Sequence, residues 1–128
     1  MGIHAIDWIY HFTGKRFASV ATQKVGEMAA LCQFTLEGGT IASVNLDYYR
    51  PKGAATHGDD RIRLAGTEGV LEVSGGKVTL ITAEGTQVWE PTEAPELLEA
   101  FLAGGGIPAE EIFYLTRVAI IARDGGGL

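Results

Sequence analysis

Near the start of the chain, apolar and polar residues recur with a period of about 3.6, the period of an α-helix. One stripe of residues 3–13 is apolar apart from a threonine, and the neighbouring stripe is polar apart from a tryptophan. The two stripes consist of Ile6, Ile9, Tyr10 and Thr13, and of His4, Asp7, Trp8 and His11. Gly14 follows them and suits the positive φ at which many helices end. The pattern predicts an amphipathic helix over 3–13.

From residue 17 to residue 90 the period falls to two, which predicts β-strands with one face towards a core. In two neighbouring segments every second residue is apolar. These residues are Met28, Ala30, Cys32, Phe34 and Leu36, and then Ala42, Val44, Leu46 and Tyr48. The pair Gly38-Gly39 lies between the two segments and tolerates positive φ, so we predict a hairpin at this point.

Four shorter apolar segments follow a connection over 50–60 that contains Pro51 and two glycines. Glycine-containing turns separate these segments, and their spacing is typical of an antiparallel meander. One of the turns, Gly66-Thr67-Glu68-Gly69, has the composition of a phosphate-binding loop. No helical pattern follows it, so we predict a tight connection between strands.

Two helices are predicted over 95–124. Pro95 suits the first position of one helix, the glycines at 104–106 end it, and Pro108 begins the other. The apolar stripe of the second helix is predicted to be Ile112, Leu115, Ala119 and Ala122. Together these elements predict an α+β fold in one domain over 1–128, an open and mostly antiparallel β-sheet with helices covering one face.

Composition narrows the partners that we expect for this domain. The formal net charge is −6 and no cluster of Lys and Arg interrupts it, so a nucleic-acid partner is not expected. Hydrophobic residues make up 46% of the chain, which favours a surface covered by another domain or subunit. We predict no membrane span and find no signal-peptide pattern. The single Cys32 suits a small core residue in a reducing compartment, and we expect a cytoplasmic protein.

The order of these segments resembles the C-terminal domain of the glucose-fructose oxidoreductase, inositol dehydrogenase and MocA family, abbreviated Gfo/Idh/MocA. The residues that carry the resemblance are spread over nearly the whole chain. They are the helix His4 to Gly14, Asn45-Leu46-Asp47-Tyr48, His57-Gly58-Asp59-Asp60-Arg61, the segment Gly66 to Val73, and Thr116-Arg117-Val118-Ala119. The resemblance implies an open antiparallel sheet that provides a substrate wall and an oligomerisation surface.

In that family an N-terminal Rossmann domain binds NAD or NADP, and a hydride moves between the nicotinamide and a hydroxyl or carbonyl carbon, often of a sugar or polyol. The sequence given contains no Gly-x-Gly-x-x-Gly turn and no Glu-Lys-Pro segment. We therefore expect no cofactor in this chain, NAD or NADP in the full-length enzyme, and no activity from the chain alone. The expected partners are the missing nucleotide-binding domain and, through the sheet face, a second copy of the chain.

His4 is the candidate catalytic residue. The resemblance implies that it acts as an acid/base beside the substrate oxygen, and imidazole is suited to proton transfer near neutral pH. The alternative is an ordinary residue in the first turn of a helix. The family pattern Asp-x-x-x-His would place its aspartate before Met1.

Four further residues are candidates for substrate binding: Asp7, Tyr48, Tyr49 and Arg50. Asp7 could orient the imidazole of His4 or a substrate hydroxyl, or it could be a solvated carboxylate that stabilises a helix N-terminus. The other three end a strand before the connection 50–60 and could line a substrate cleft. The alternative for the aromatic residues is packing across strands.

A metal site is not predicted. The residues that could supply ligands show no fixed spacing; they are His4, Asp7, His11, His57, Asp59 and Asp60. His11 would lie about 10 Å along the helix axis from His4, too far for one site, and is expected at the surface or between domains.

Two functions from different classes remain open on this basis. The first is the substrate-binding and oligomerisation domain of an NAD(P)-dependent oxidoreductase that acts on a sugar, polyol or related compound. The second is a stand-alone dimerisation or binding module that uses the sheet and has no catalytic role.

Overall fold

The computed structural model of the protein describes residues 2–56, 58–90, 92 and 97–128. Within the chain two compact units form, Met1–Tyr49 with Gly106–Leu128, and Arg50–Gly105. We call these the first and the second unit and describe each by itself. The expectations for Met1, His57, Pro91 and Pro95 lie outside the described residues, and the assignment of 1–128 to one domain stays a prediction.

The elements follow the predicted order along the chain. The helices are α1 (Gly2–Thr13), α2 (Leu97–Leu102) and α3 (Ala109–Asp124). The strands are β1 (Phe17–Val25), β2 (Ala29–Leu36), β3 (Ile41–Asp47), β4 (Ile62–Ala65), β5 (Gly69–Ser74), β6 (Lys77–Thr82) and β7 (Gly85–Trp89). None of the described helices combines the length and the apolar content that crossing a bilayer requires.

The strands are antiparallel throughout, but they form two sheets and not one. The first unit holds the order β1-β2-β3 and the second holds β4-β5-β6-β7. The connection between β3 and β4 contains Pro51, which cannot donate to a ladder, and its described residues form no strand. β3 and β4 therefore do not pair as hairpin neighbours in the described residues. An α+β fold with open antiparallel sheets is confirmed.

α1 matches its prediction closely. Ile6 is buried, and Ile9 and Tyr10 pack against the same core, whereas His4 and Trp8 are exposed on the other side. Gly14 ends the helix with φ 64°, and its backbone N–H donates to the carbonyl of Tyr10 at 2.8 Å. The side chains of α1 therefore divide into a buried apolar face and an exposed face.

The predicted hairpin between β2 and β3 is also confirmed. Gly38 and Gly39 adopt φ of 77° and 82° in the turn, where a Cβ would be strained. In the ladder Phe34 is opposite Ala42, and Cys32 is opposite Val44. The alternation places all four of these side chains on the face towards the core.

The core of the first unit lies between this face and the two helices α1 and α3, which pack against each other and against the sheet. The buried side chains are Ile6, Phe17, Cys32, Phe34, Leu36, Val44, Leu115, Val118 and Ala122. Phe17 and Phe34 meet edge to face with ring centroids 5.1 Å apart. This core fixes the position of α1, which carries two of the candidate residues, His4 and Asp7.

The buried stripe of α3 differs from the predicted one. Leu115, Val118 and Ala122 are buried, whereas Ile112 is 48% exposed. At 3.6 residues per turn Ile112 lies about a quarter turn from the centre of the buried stripe, while Val118 lies near that centre. The period of the helix was predicted correctly, but its rotation about the axis was not.

α3 is tied to the beginning of β1 by a polar contact. The hydroxyl of Tyr114 accepts a hydrogen bond of 2.8 Å from the backbone N–H of Phe17. The guanidinium of Arg16 lies 4.0 Å from the centre of the Tyr114 ring, a cation–π arrangement. These contacts join residues that are nearly a hundred positions apart in the sequence.

The second unit is a four-stranded meander. Its register places apolar side chains on one face; they are Ile62, Leu64, Leu71, Val73, Val78 and Leu80. Gly69 begins β5 opposite Thr82, and a Cβ at this position would overlap the carbonyl oxygen of Ile81. The Gly66 to Gly69 turn is thus a strand connection, as predicted, and Gly69 is required by close backbone approach.

Candidate functional site

The candidate catalytic residue, His4, lies in the first turn of α1 with its side chain exposed. A Cβ on Gly2 would lie 3.2 Å from the side chain of Leu46 in β3, so this turn is beside the end of that strand. Tyr48 follows Leu46 by two positions. The fold therefore brings the segments that carry His4 and Tyr48 to the same end of the first unit.

Asp7 lies one turn further along α1, close to the imidazole of His11. Its Oδ1 is 3.1 Å from Nε2 of His11, at the i, i+4 spacing of a helix. The distance suits a hydrogen bond, but Oδ1 is shielded from solvent and has no hydrogen-bond partner among the described residues. That Asp7 orients His4 or a substrate stays a prediction.

His11 also faces α3. Its Nε2 lies 3.9 Å from Oε2 of Glu111, and its ring meets Tyr10 at a centroid distance of 5.4 Å. Roughly half of the side chain remains exposed. His11 is thus at the surface, between two carboxylates of neighbouring helices.

Tyr48 and Tyr49 follow the last residue of β3 and are 57% and 60% exposed. The backbone N–H of Tyr48 donates to the carbonyl of Met28 at 2.9 Å, and that of Tyr49 donates to Oδ1 of Asp47 at 3.1 Å. Neither ring forms an aromatic pair within the part of the chain that the structure describes. The backbone is held while both rings stay accessible, and their contact with a substrate stays a prediction.

Arg50 belongs to the second unit and is used within its own loop. The guanidinium donates to the carbonyl and the hydroxyl of Thr56, at 3.0 and 2.8 Å, and to the carbonyl of Gly58 at 3.3 Å. Arginine donates through a planar fork, so these bonds hold Arg50 against Thr56 and Gly58. Sequence reasoning identified Arg50 as a ligand candidate but could not detect this local role.

Within the described ranges, no three His, Cys, Asp or Glu side chains lie close enough together to hold a metal ion. Cys32 is buried, and the hydroxyl of Thr22 lies 3.5 Å from its sulfur. At the end of α3, a hydrogen bond from Arg123 lowers the pKa of Asp124, and the same bond raises the pKa of the guanidinium. Both side chains are exposed, so this pair contributes little to stability.

The residues of this chain do not fit a nicotinamide dinucleotide site. Such a site needs a glycine-rich turn between a strand and the N-terminus of a helix. Within each sheet, consecutive strands are antiparallel and are connected by tight turns. The helix that follows them, α2, has six residues. That the candidate site contacts a substrate and exchanges a proton, and that another domain holds the cofactor, stay predictions.

Comparison with solved structures gives a consistent result over almost the whole chain. A protein from Thermotoga maritima, provisionally classed as an oxidoreductase, superimposes on 98% of this chain with a TM-score of 0.88 and 39% sequence identity. The chain is similar to part of an oxidoreductase. It spans 43% of the Thermotoga maritima protein, so more than half of that protein has no counterpart here.

Two more distant structures share the fold. A provisionally classed oxidoreductase from Erwinia carotovora atroseptica matches 98% of this chain and 46% of its own, with 22% identity and a TM-score of 0.78. An oxidoreductase from Agrobacterium radiobacter, in complex with NAD+, L-tartaric acid and magnesium, matches 76% of this chain and 30% of its own, with 20% identity and a TM-score of 0.61. No protein-family model and no curated protein matches the chain.

Proposed function

We propose that this chain is the substrate-binding and oligomerisation domain of an NAD(P)-dependent oxidoreductase of the Gfo/Idh/MocA type. The observation that carries the proposal is the 39% identity to an oxidoreductase-class protein over 98% of the chain, although the match covers under half of that protein. The presence of NAD+ in the Agrobacterium radiobacter structure supports the same class of cofactor. The substrate is a hydroxyl or carbonyl compound such as a sugar or polyol, and the location is cytoplasmic.

In this proposal His4 handles the proton of the reaction. When an alcohol is oxidised, its carbon gives up a hydride with two electrons to the oxidised nicotinamide, and its hydroxyl gives up a proton. The exposed imidazole in the first turn of α1 accepts that proton and returns it in the reverse direction. Tyr48 and Tyr49, accessible at the end of β3, contact the substrate.

A hybrid enzyme tests the proposal. In the hybrid, residues 2–128 replace the matching segment of the Thermotoga maritima protein. The rest of that protein is kept. We expect the hybrid to oxidise or reduce at least one member of a panel of polyols, aldoses and hydroxy acids, followed by the absorbance of the reduced nicotinamide. The 128-residue chain alone should show no turnover and no micromolar binding of NADH in calorimetry, because it has no nucleotide-binding turn.

The alternative is a stand-alone dimerisation or binding module that has no catalytic role. A hybrid that is folded and binds NADH, but turns over no member of the panel, would support the module. NADH binding by the 128-residue chain alone would contradict both versions.

The partner proposed for the sheet is a second copy of the chain. The face of β1-β2-β3 away from the core is uncharged except at Asp47. The residues that the register places on this face are Ser19, Ala21, Gln23, Val25, Ala29, Leu31, Gln33, Thr35, Ile41, Ser43, Asn45 and Asp47. Depletion of charge is typical of the central part of subunit interfaces. A two-fold axis would bring two such faces together.

Light scattering during size exclusion tests this face. We expect a mass of about twice 13.6 kDa for the chain. Leu31→Arg, at the centre of the face, should convert the dimer to a monomer, because it places two unpaired charges in the interface. Ile120→Arg on α3 is the matched control and should leave the dimer intact. A monomeric chain at micromolar concentration would contradict the proposed interface.

A further inference from the structure

Lys24, in β1, is a cation of the first unit that forms no ion pair within the part of the chain that the structure describes. Other cations of this unit are used by the fold. Lys15 donates to the hydroxyl of Thr40 at 2.6 Å, and Arg123 pairs with Asp124 at 2.7 Å. Lys24 is exposed, so its ammonium group can take an anionic ligand without giving up such a contact.

The side chain of Lys24 belongs to the face of the sheet that the helices cover. On the same strand the hydroxyl of Thr22 lies 3.5 Å from the sulfur of buried Cys32, and residues two apart on a strand share a face. In the ladder Lys24 is opposite Ala30, and Ala30 is opposite Leu46. We call Lys24, Ala30 and Leu46 the basic row. It is two strand spacings wide, or roughly 10 Å.

The basic row ends beside the first turn of α1, which carries His4. A Cβ on Gly2 would lie 3.2 Å from the side chain of Leu46, so this end of the row is next to that turn. Lys24 is at the opposite end of the row. The residue between them, Ala30, has only a methyl group and is half-buried. The row thus places a cation across the sheet from the candidate proton-transfer group.

Lys24 also lies near the C-terminal end of α3. There the pKa of Asp124 is lowered by its hydrogen bond from Arg123 and, to a smaller extent, by the charges of Arg123 and Lys24. A lysine in this position could simply complement the dipole of the helix end. That role would affect stability and not the choice of ligand, so the two roles can be separated by experiment.

We propose that Lys24 binds a carboxylate of the substrate, which narrows the substrate to a hydroxy acid, a polyol chain that ends in a carboxylate. This rests on the proposed function, because the reacting hydroxyl must lie beside His4. The formal net charge of −6 disfavours the approach of anions, so an anionic substrate needs a local cation. An ammonium–carboxylate hydrogen bond is charge-assisted and stronger than one between neutral groups. Lys24 is therefore the residue that distinguishes the acid from the neutral polyol.

A matched pair of ligands tests this in the hybrid enzyme. D-Gluconate and D-glucitol have the same polyol chain, but gluconate ends in a carboxylate. Calorimetry gives both dissociation constants whether or not the hybrid is active. We expect gluconate to bind at least about tenfold more tightly than glucitol, the effect of one charge-assisted hydrogen bond. Lys24→Gln should remove this preference without changing the affinity for glucitol, and Lys24→Arg should keep part of it.

Arg117→Gln is the matched control, because it removes one positive charge from an exposed position on α3. It should leave the preference for gluconate intact. In an active hybrid, Lys24→Gln should also raise KM for gluconate about tenfold and leave kcat nearly unchanged, as expected when a contact is equally strong in the ground and transition states.

The proposal is wrong if the unsubstituted hybrid does not prefer gluconate, or if the preference survives Lys24→Gln. A lower midpoint of urea unfolding in Lys24→Gln with unchanged affinity for gluconate would assign Lys24 to the end of α3 instead. Turnover is a separate readout. A hybrid that shows the preference due to Lys24 but has no turnover retains the anion site and loses the proposed reaction. A hybrid that turns over neutral polyols with no effect of Lys24→Gln retains the reaction and loses the anion site.

Discussion

Phe34→Ala should lower the free energy of unfolding of the first unit by about 3–5 kcal/mol, the range for removing a large aromatic side chain from a packed core. Phe34 is 1% exposed and meets the ring of Phe17 edge to face. Its removal leaves a cavity between the sheet and the helices α1 and α3. This loss is comparable to the whole stability of many small domains.

Urea unfolding measures this loss if the signal comes from the first unit alone. The chain has two tryptophans, Trp8 in the first unit and Trp89 in the second. A Trp89→Phe background therefore makes the fluorescence of Trp8 specific for the first unit. Phe113→Ala is the matched control, since the same atoms are removed from an exposed position on α3. Equal effects of the two substitutions would mean that Phe34 is not part of a packed core.

The second large effect is expected in catalysis. His4→Asn in the hybrid enzyme should lower kcat by about 10²–10⁴, the range that positioned acid/base groups contribute. Asparagine keeps hydrogen-bonding capacity and roughly the same size but cannot take up and release the proton. The limb of the pH–rate profile that belongs to this group should disappear with it, which a structural role for His4 would not produce.

His11→Asn provides the control for that experiment. His11 is on the same helix and has an exposed imidazole, but it lies between Asp7 and Glu111 and not in the first turn. The hybrid that carries His11→Asn should have the same kcat and the same pH–rate profile as the unsubstituted hybrid. If His4→Asn kept full activity, or if His11→Asn lost as much, the acid/base assignment to His4 would be wrong.

Much of the fold could be predicted from local pattern alone. Alternation identified the buried side chains of β2, and a pair of glycines identified the turn after it, because both depend on residues within a few positions of one another. The buried face of α3 could be predicted less well. Val118 and Ile112 are both apolar residues of the same helix. Only the elements packed against α3 decide which of the two is buried.

Contacts between distant segments lay beyond prediction. The hydrogen bond from the backbone of Phe17 to the hydroxyl of Tyr114 joins two elements with no shared signal in the sequence. The division into two sheets likewise depends on which strands do not pair. It could not be predicted, because the period of apolar residues describes each strand only by itself.

The contacts of the candidate site residues could likewise be predicted only in part. Its residues were chosen by resemblance and by type, and the structure brings the segments of His4 and Tyr48 to one end of the first unit. It also engages Arg50 with Thr56, which no spacing rule indicates. The neighbour of Asp7 could have been found, since His11 follows it at the helical spacing of four.

The contact between Tyr114 and Phe17 has a consequence for the order in which the chain folds during translation. α3 leaves the ribosome after all seven strands, yet it covers the apolar face of the sheet made by the first three. While the 56 residues of Arg50–Gly105 are being synthesised, that face has only α1 to shield it from other nascent chains. A chaperone that binds exposed apolar strands would therefore find its substrate in this interval and lose it when α3 arrives.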